Sequence, residues 1–237
     1  MQGRTFVWLA LVFGVVAVAQ VAKPNPPSES SSSKHTKGSA RLVPDVTGGT
    51  VTNGVYRNRA LGLSCRIPAG WVLRTEEMNA REEETPSESE EKPSPQGTPI
   101  DSAHGRQRDT EESRGQVLLA AFSRPPEARG EDVNSSIVIA VEKVETYPGL
   151  KEPAQYFGPL TEVAKAQGFV VDEDAYEIAM GAKVVVRGDF HKDVGSRVMR
   201  QSTLAFLAHG YAVSITVIDG TEDEVEELID GVEFGGK

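Results

Sequence analysis

Asp189, His191 and Asp193 stand two residues apart, the spacing that puts side chains on one face of a strand. Carboxylate and imidazole together suit a divalent cation. The same letters also arise at the solvent end of a hairpin, where polar residues alternate without binding anything. A solvated turn is the expectation, and no metal ligand is assigned. The paired carboxylates Asp172-Glu173-Asp174 and the run Glu222, Asp223, Glu224, Glu226, Glu227 raise acid–base chemistry. That work needs one carboxyl group held in an apolar pocket. These stand in acidic runs that read as solvated faces, so no catalytic residue is assigned.

Cys65 is the only cysteine. In 63–67, Leu63, Cys65 and Ile67 alternate with Ser64 and Arg66, which turns Cys65 inward as an inert thiol rather than a nucleophile. An exported domain with one cysteine holds no internal disulfide, so its stability comes from its core. Of four histidines, His35 and His104 fall in polar, low-complexity stretches, and His191 and His209 at strand ends. There is no Gly-x-Ser-x-Gly elbow, phosphate-cradling glycine loop, His-Glu-x-x-His or Cys-x-x-Cys. The expectation is a non-enzymatic protein without cofactor and with its ligand-binding residues unknown. Trp71 and Tyr156 could line an apolar pocket, although core packing is the commoner use of such rings. Asn134-Ser135-Ser136 is a glycosylation sequon only in a cell that glycosylates.

The elements that would carry these residues follow from patterning. Arg4, the apolar run 6–18 and Ala17-Val18-Ala19 form a signal peptide over 1–19. A spanning helix needs about 20 apolar residues. The run reaches that only by including Gln20, so cleavage is favoured over an uncleaved membrane anchor. Either way the chain is extracytoplasmic, periplasmic or secreted. Residues 20–50, rich in Pro, Ser and Gly, read as a disordered tether. Net charge is −10, and no basic block follows residue 19, which argues against nucleic acid. Hydrophobic content is 38%, below the usual level of about 45–50%, and the deficit is local.

A first strand is predicted over 51–57, a turn at 58–60, a second strand over 63–67 and a stop at Pro68-Ala69-Gly70 before Trp71. Residues 77–114 carry acidic clusters and four prolines with almost nothing to bury, and read as a disordered insertion. Apolar runs at 117–123 and 137–144 read as central strands. Pro153 opens a long helix with Tyr156, Leu160, Val163 and Gln167 on one stripe, Pro159 either kinking it or delaying its start, and Gly168 closing it. Four strands follow, 169–178, 182–190, 197–208 and 211–217, joined as an antiparallel meander. A capping box at Thr221 and Glu224 then heads a short helix.

The phrase Leu63-Ser64-Cys65-Arg66-Ile67-Pro68-Ala69-Gly70-Trp71, with this element order and the closing Val232-Glu233-Phe234, resembles the PsbP/Mog1-like group. The resemblance covers about 51–76 and 115–235. It implies an α+β fold: an antiparallel β-sheet with helices packed on both faces, an α/β/α sandwich. The domain is expected over 51–235, interrupted by 77–114. That group serves many roles, so the fold lends little to function. The reading is an exported domain that binds a protein or lipidic partner at the envelope through its sheet edge or helix face. The alternative is a small apolar-ligand carrier with a pocket between sheet and long helix, and a hydrolase comes third. An apolar cavity lined by Trp71 and the Tyr156 helix would favour the carrier; an exposed strand edge or apolar patch would favour docking.

Overall fold

The computed structural model describes residues 44–84, 115–128, 130 and 132–235. The predicted signal peptide, nearly all of the tether and most of the acidic insertion lie outside those residues. Chain folding opens with a hairpin, β1 (Thr50–Thr52) and β2 (Val55–Asn58), turned at Asn53-Gly54. Both turn residues have positive φ, 51° and 71°, which Asn and Gly tolerate best. The single strand expected over 51–57 is therefore two.

The pair continues into β3 (Leu63–Arg66), whose outer neighbour is the last strand, β12 (Val232–Phe234), giving a four-stranded sheet in the order β1-β2-β3-β12. Next come β4 (Val72–Leu73), helix α1 (Thr75–Glu84), β5 (Gln116–Phe122) and β6 (Ser136–Lys143). A 3-10 turn (Val144–Thr146) leads to helix α2 (Pro153–Ala166). Then follow β7 (Val170–Val171), β8 (Tyr176–Met180), β9 (Lys183–Val194), β10 (Arg197–Ala208), β11 (Tyr211–Asp219) and helix α3 (Glu222–Asp230). The larger, eight-stranded sheet runs β4-β5-β6-β11-β10-β9, with β7 and β8 both lying along the outer side of β9.

The expected α/β/α sandwich is not formed. The fold is mostly β, two antiparallel sheets with three helices among the described residues. On one face of the large sheet, Ile139, Leu204, Phe206, Val213 and Ile215 meet Tyr56, Leu63, Cys65, Val232 and Phe234 of the small sheet and Val225, Leu228 and Ile229 of α3. Phe206 and Phe234 join the sheets edge to face, with ring centroids 5.1 Å apart. A second sheet occupies most of the layer that helices were expected to fill. The alternating apolar side of β2, β3 and β12 needs a sheet-sized partner, and the large sheet supplies it.

Helices cover the opposite face only in part. Met78 of α1 packs on Val117, Ala120 and Phe122 of β5. Tyr156 and Phe157 of α2 pack on Val186 of β9, Ala205 of β10 and Ala212 of β11. Between the helices, Val138, Ala140 and Thr216 on β6 and β11 stay half-buried. Helix α1 also revises the expected insertion: 77–84 is helical. Beyond Met78 it is held by Asn79, whose side chain donates to the Val117 carbonyl and accepts from its N–H, both at 2.9 Å.

Candidate functional site

A cleft of about 680 Å³, open to solvent, lies between α2 and the β7 margin of the large sheet. Local sequence explains its shape. Gly188 on β9 is buried under α2, and a Cβ there would lie 2.9 Å from Cδ1 of Phe157 and closer still to Cε1. The missing side chain lets the Phe157 ring lie on the strand, the close approach that glycine within a strand permits. After α2, Gly168 (φ 87°) reverses the chain and seats Phe169 against Ala164 and Phe190. Phe157, Phe169 and Phe190 thus give the cleft an aromatic floor.

Its two walls differ. On α2, Gly158 faces the cleft, where an added methyl group would meet nothing within 4 Å, and Lys165 ion-pairs with Glu162 at 3.4 Å. Across from it stand Val170, Val171, Glu173 and Asp174. Val170 is 54% exposed, an apolar side chain left at the sheet margin. This wall is tied down by its own polar contacts. Asp172 N–H donates to the Asp189 carbonyl at 2.9 Å, and its carboxylate meets His191 Nδ1 and, at 3.6 Å, Arg200. Arg187 reaches both oxygens of Asp189 at 3.0 Å and also pairs with Glu226 of α3, while the Tyr176 hydroxyl donates to Asp189 at 3.0 Å.

The residues considered for metal binding are therefore engaged elsewhere. Asp189 and His191 share a face, but Asp189 serves Arg187 and Tyr176, His191 serves Asp172, and Asp193 is exposed. Among the described residues no group of three or more His, Cys, Asp or Glu is placed to hold a metal ion. Cys65 is fully buried, and burial pushes its thiol up to about 12. His209, in the β10–β11 turn, places Nε2 2.9 Å from the Ala60 carbonyl oxygen. Asn134 is held in its turn, accepting from Ser123 and the Arg124 N–H and donating to the Arg124 carbonyl. In the run 222–227, Glu222, Asp223 and Glu224 form the first turn of α3, where the helix dipole favours them.

Neither expected pocket ring lines the cleft. Trp71 is half-buried against the main core, and Tyr156 is 2% exposed beneath α2. Tyr156 and Tyr147 both donate to Oε2 of Glu142, Tyr147 at 2.6 Å. Burial raises the Glu142 carboxyl above its ordinary value, and these two hydrogen bonds oppose the shift. The cleft residues themselves escaped the sequence reading because three phenylalanines at apolar positions look like core. The usable signals were Gly188 among bulky strand residues and Gly158 within a helix.

No protein-family model and no curated protein matches the sequence. Among solved structures, the chain is similar to LpqN, involved in cell envelope biogenesis of Mycobacterium tuberculosis, at 13% identity and TM-score 0.32, over 71% of this chain and 76% of that one. It is also similar to PA94, a protein of unknown function from Pseudomonas aeruginosa, at 19% identity and TM-score 0.29, over 43% of this chain and 68% of that one. Likenesses this distant do not bear on what the chain does.

Proposed function

We propose that the chain is an exported, non-enzymatic domain that docks a partner at the cell envelope, and that the partner seats on the α2–β7 margin. One observation carries this: the large sheet ends there in an open, aromatic-floored cleft beside strands that keep an exposed edge. Export rests on residues 1–19; no described helix is long and apolar enough to cross a membrane. The non-enzymatic reading draws on the separation of parts. Cys65, Glu142 and Tyr156 are groups with displaced proton affinity, and they lie away from the cleft. The Leu63–Trp71 phrase keeps the PsbP/Mog1-like resemblance within this proposal, without the layered sandwich.

A photo-crosslinking residue at Thr161, inside the cleft, tests the reading against one at Arg57, exposed on the small sheet. Adducts formed in the producing cell from position 161 but not 57, and lost on adding Gly158→Leu, support it. The same adducts from both positions would refute it. The second reading, a small apolar-ligand carrier, draws on the aromatic floor and the cleft volume. A stoichiometric small molecule released from the native protein, and absent from the Gly158→Leu variant, would select the carrier.

A further inference from the structure

We infer that the docked element is an extended cationic peptide segment that adds to the free edge of β8 and places one bulky apolar side chain in the α2 cleft. The inference rests on the docking reading above and specifies the partner's chemistry. Three features carry it.

The first is the edge. Among the described residues β8 pairs with β9 alone, through a register that closes at Met180 and Lys183 around a two-residue turn, Gly181-Ala182. Gly181 has φ 58°, the positive value such a turn requires at its first position. The closing pair of a two-residue hairpin exchanges hydrogen bonds, and the pairs alternate from there. Ile178 and Tyr176 therefore bond inward to β9, whereas Ala179 and Glu177 aim their N–H and C=O groups outward. An added strand has a backbone ladder waiting.

The second is side-chain placement. Glu177 and Ala179 pair with Val186 and Val184, on the side of the sheet that α2 covers. A strand added to β8 points every second side chain toward that side, where the cleft opens beside Ala175. Ala175 and Ala179 are exposed and small, so nothing on this margin blocks a larger incoming residue. Val184, 57% exposed, extends the apolar surface beyond the helix.

The third is charge. Glu162, Glu173, Asp174 and Glu177 surround the cleft and edge, against two cations, Lys165, which faces Glu162, and Lys192, whose ammonium donates to the Gln167 carbonyl behind Phe169. Among the described residues no ion pair is formed by Glu173, Asp174 or Glu177. An anionic margin beside an apolar cavity selects lysine or arginine flanking an apolar anchor, and like charge rejects an acidic segment.

The test uses the full-length protein and a fluorescein-labelled peptide, Lys-Thr-Lys-Thr-Phe-Thr-Lys-Thr-Lys, with its phenylalanine and lysines on one strand face. Binding should fall at least about tenfold when glutamate replaces lysine, when alternate backbone nitrogens are methylated, or with Gly158→Leu. Ala179→Pro removes one outward N–H and should weaken binding while the far-UV spectrum and unfolding midpoint stay normal. The double reversal Glu173→Lys/Asp174→Lys should weaken it strongly at low salt and little at high salt. Equal binding of the glutamate peptide, or indifference to both backbone methylation and Ala179→Pro, would overturn the inference. So would capture of anionic lipid vesicles with no peptide binding, which makes the partner a membrane. If crosslinks from position 161 disappear with Gly158→Leu while no peptide binds, the docking reading stands and the peptide falls. If neither result appears, both fall.

Discussion

Substituting Gly188 by alanine tests the cleft at the contact that builds it. The new methyl would sit 2.9 Å or less from two ring atoms of Phe157, closer than packed carbons approach. Phe157 is 5% exposed and packed on the strands carrying Val186 and Ala205, so its ring can yield only toward the cleft, at the expense of those contacts. Overpacking of this kind costs about 1–3 kcal/mol, and full ejection of the ring would approach the ~3–5 kcal/mol of a Phe→Ala change. Against that, alanine relieves the entropy cost of glycine in a strand, worth about 0.5–1 kcal/mol. With the clash in the upper half of its range, about 2–3 kcal/mol, the net loss is about 1–2.5 kcal/mol. For a chain of this size that is a fall in melting temperature of about 2–10 °C.

Urea unfolding of four proteins reads the effect: wild type, Gly188→Ala, Phe157→Leu and the double variant. The smaller side chain makes room for the methyl, so the double variant should be more stable than the two single losses sum to, by about 0.5–1 kcal/mol. Gly158→Ala is the control on the same helix, because its methyl meets nothing within 4 Å. It should gain up to about 1 kcal/mol from helix propensity. An unchanged midpoint for Gly188→Ala, or strict additivity in the double variant, would show that Phe157 does not rest on Gly188 and that the cleft floor is misplaced.

Cys65, buried and with its thiol pushed up to about 12, should resist alkylation in the native protein across neutral and mildly alkaline pH and react fully in denaturant; native labelling at the unfolded rate would contradict its burial. The Glu142 carboxyl is raised on folding, chiefly by burial, so its stabilising effect is present below the unfolded value and is lost as pH rises through the folded one. Glu142→Gln still accepts from both tyrosines, and its melting temperature relative to wild type should improve as pH climbs from about 4 toward neutrality; a constant difference would refute the shift. Cleavage after glutamate between residues 85 and 114 should leave two associated fragments, because β3 pairs with β12 and β4 with β5 across that gap; separation on a sizing column without denaturant would contradict that pairing.

Legibility in the sequence followed how local each determinant was. Helix α2 was readable because Pro153, its apolar stripe and Gly168 all act within one segment. The hairpins from β9 to β11 and the Thr221 cap, whose hydroxyl accepts from the Glu224 N–H, are local in the same way. The Asn53-Gly54 turn is equally local, but the valines on either side of it read as one continuous strand. Helix α1 had no pattern to find: Met78 and the Asn79 side chain fix it, and both act on β5, about forty residues away. The division into two sheets was invisible for a general reason. Alternation tells which side of a strand is buried, but not whether a helix or another sheet does the burying. At the break between β7 and β8, residues 172–175, Asp172 meets His191 and Arg200, partners 19 or more residues away that no local pattern announces.

The width of the cleft depends on how α2 is held, and its two ends are held by different chemistry. At the first turn Tyr156 is pinned to Glu142 on β6. At the last, Lys192 of β9 donates from Nζ to the Gln167 carbonyl at 2.6 Å, and its ammonium lies 5.8 Å from the centroid of the Phe169 ring. A cation on the terminal carbonyls of a helix satisfies a group that has no partner within the helix. Between these anchors lie Gly158 and Pro159, the two poorest helix formers, on the stretch that walls the cleft. Lys192→Met keeps the stem over Phe169 and removes only the donor. It should cost about 1.5 kcal/mol, the low end for a hydrogen bond from a charged group, since the side chain is only half-buried. Amide exchange over residues 163–168 should then quicken up to about tenfold, while the paired amides of 157–161, next to the Tyr156–Glu142 anchor, should exchange as before. Uniform acceleration along α2 would mean that the helix opens as one rigid unit. The Lys192 contact would then not set the cleft's far end.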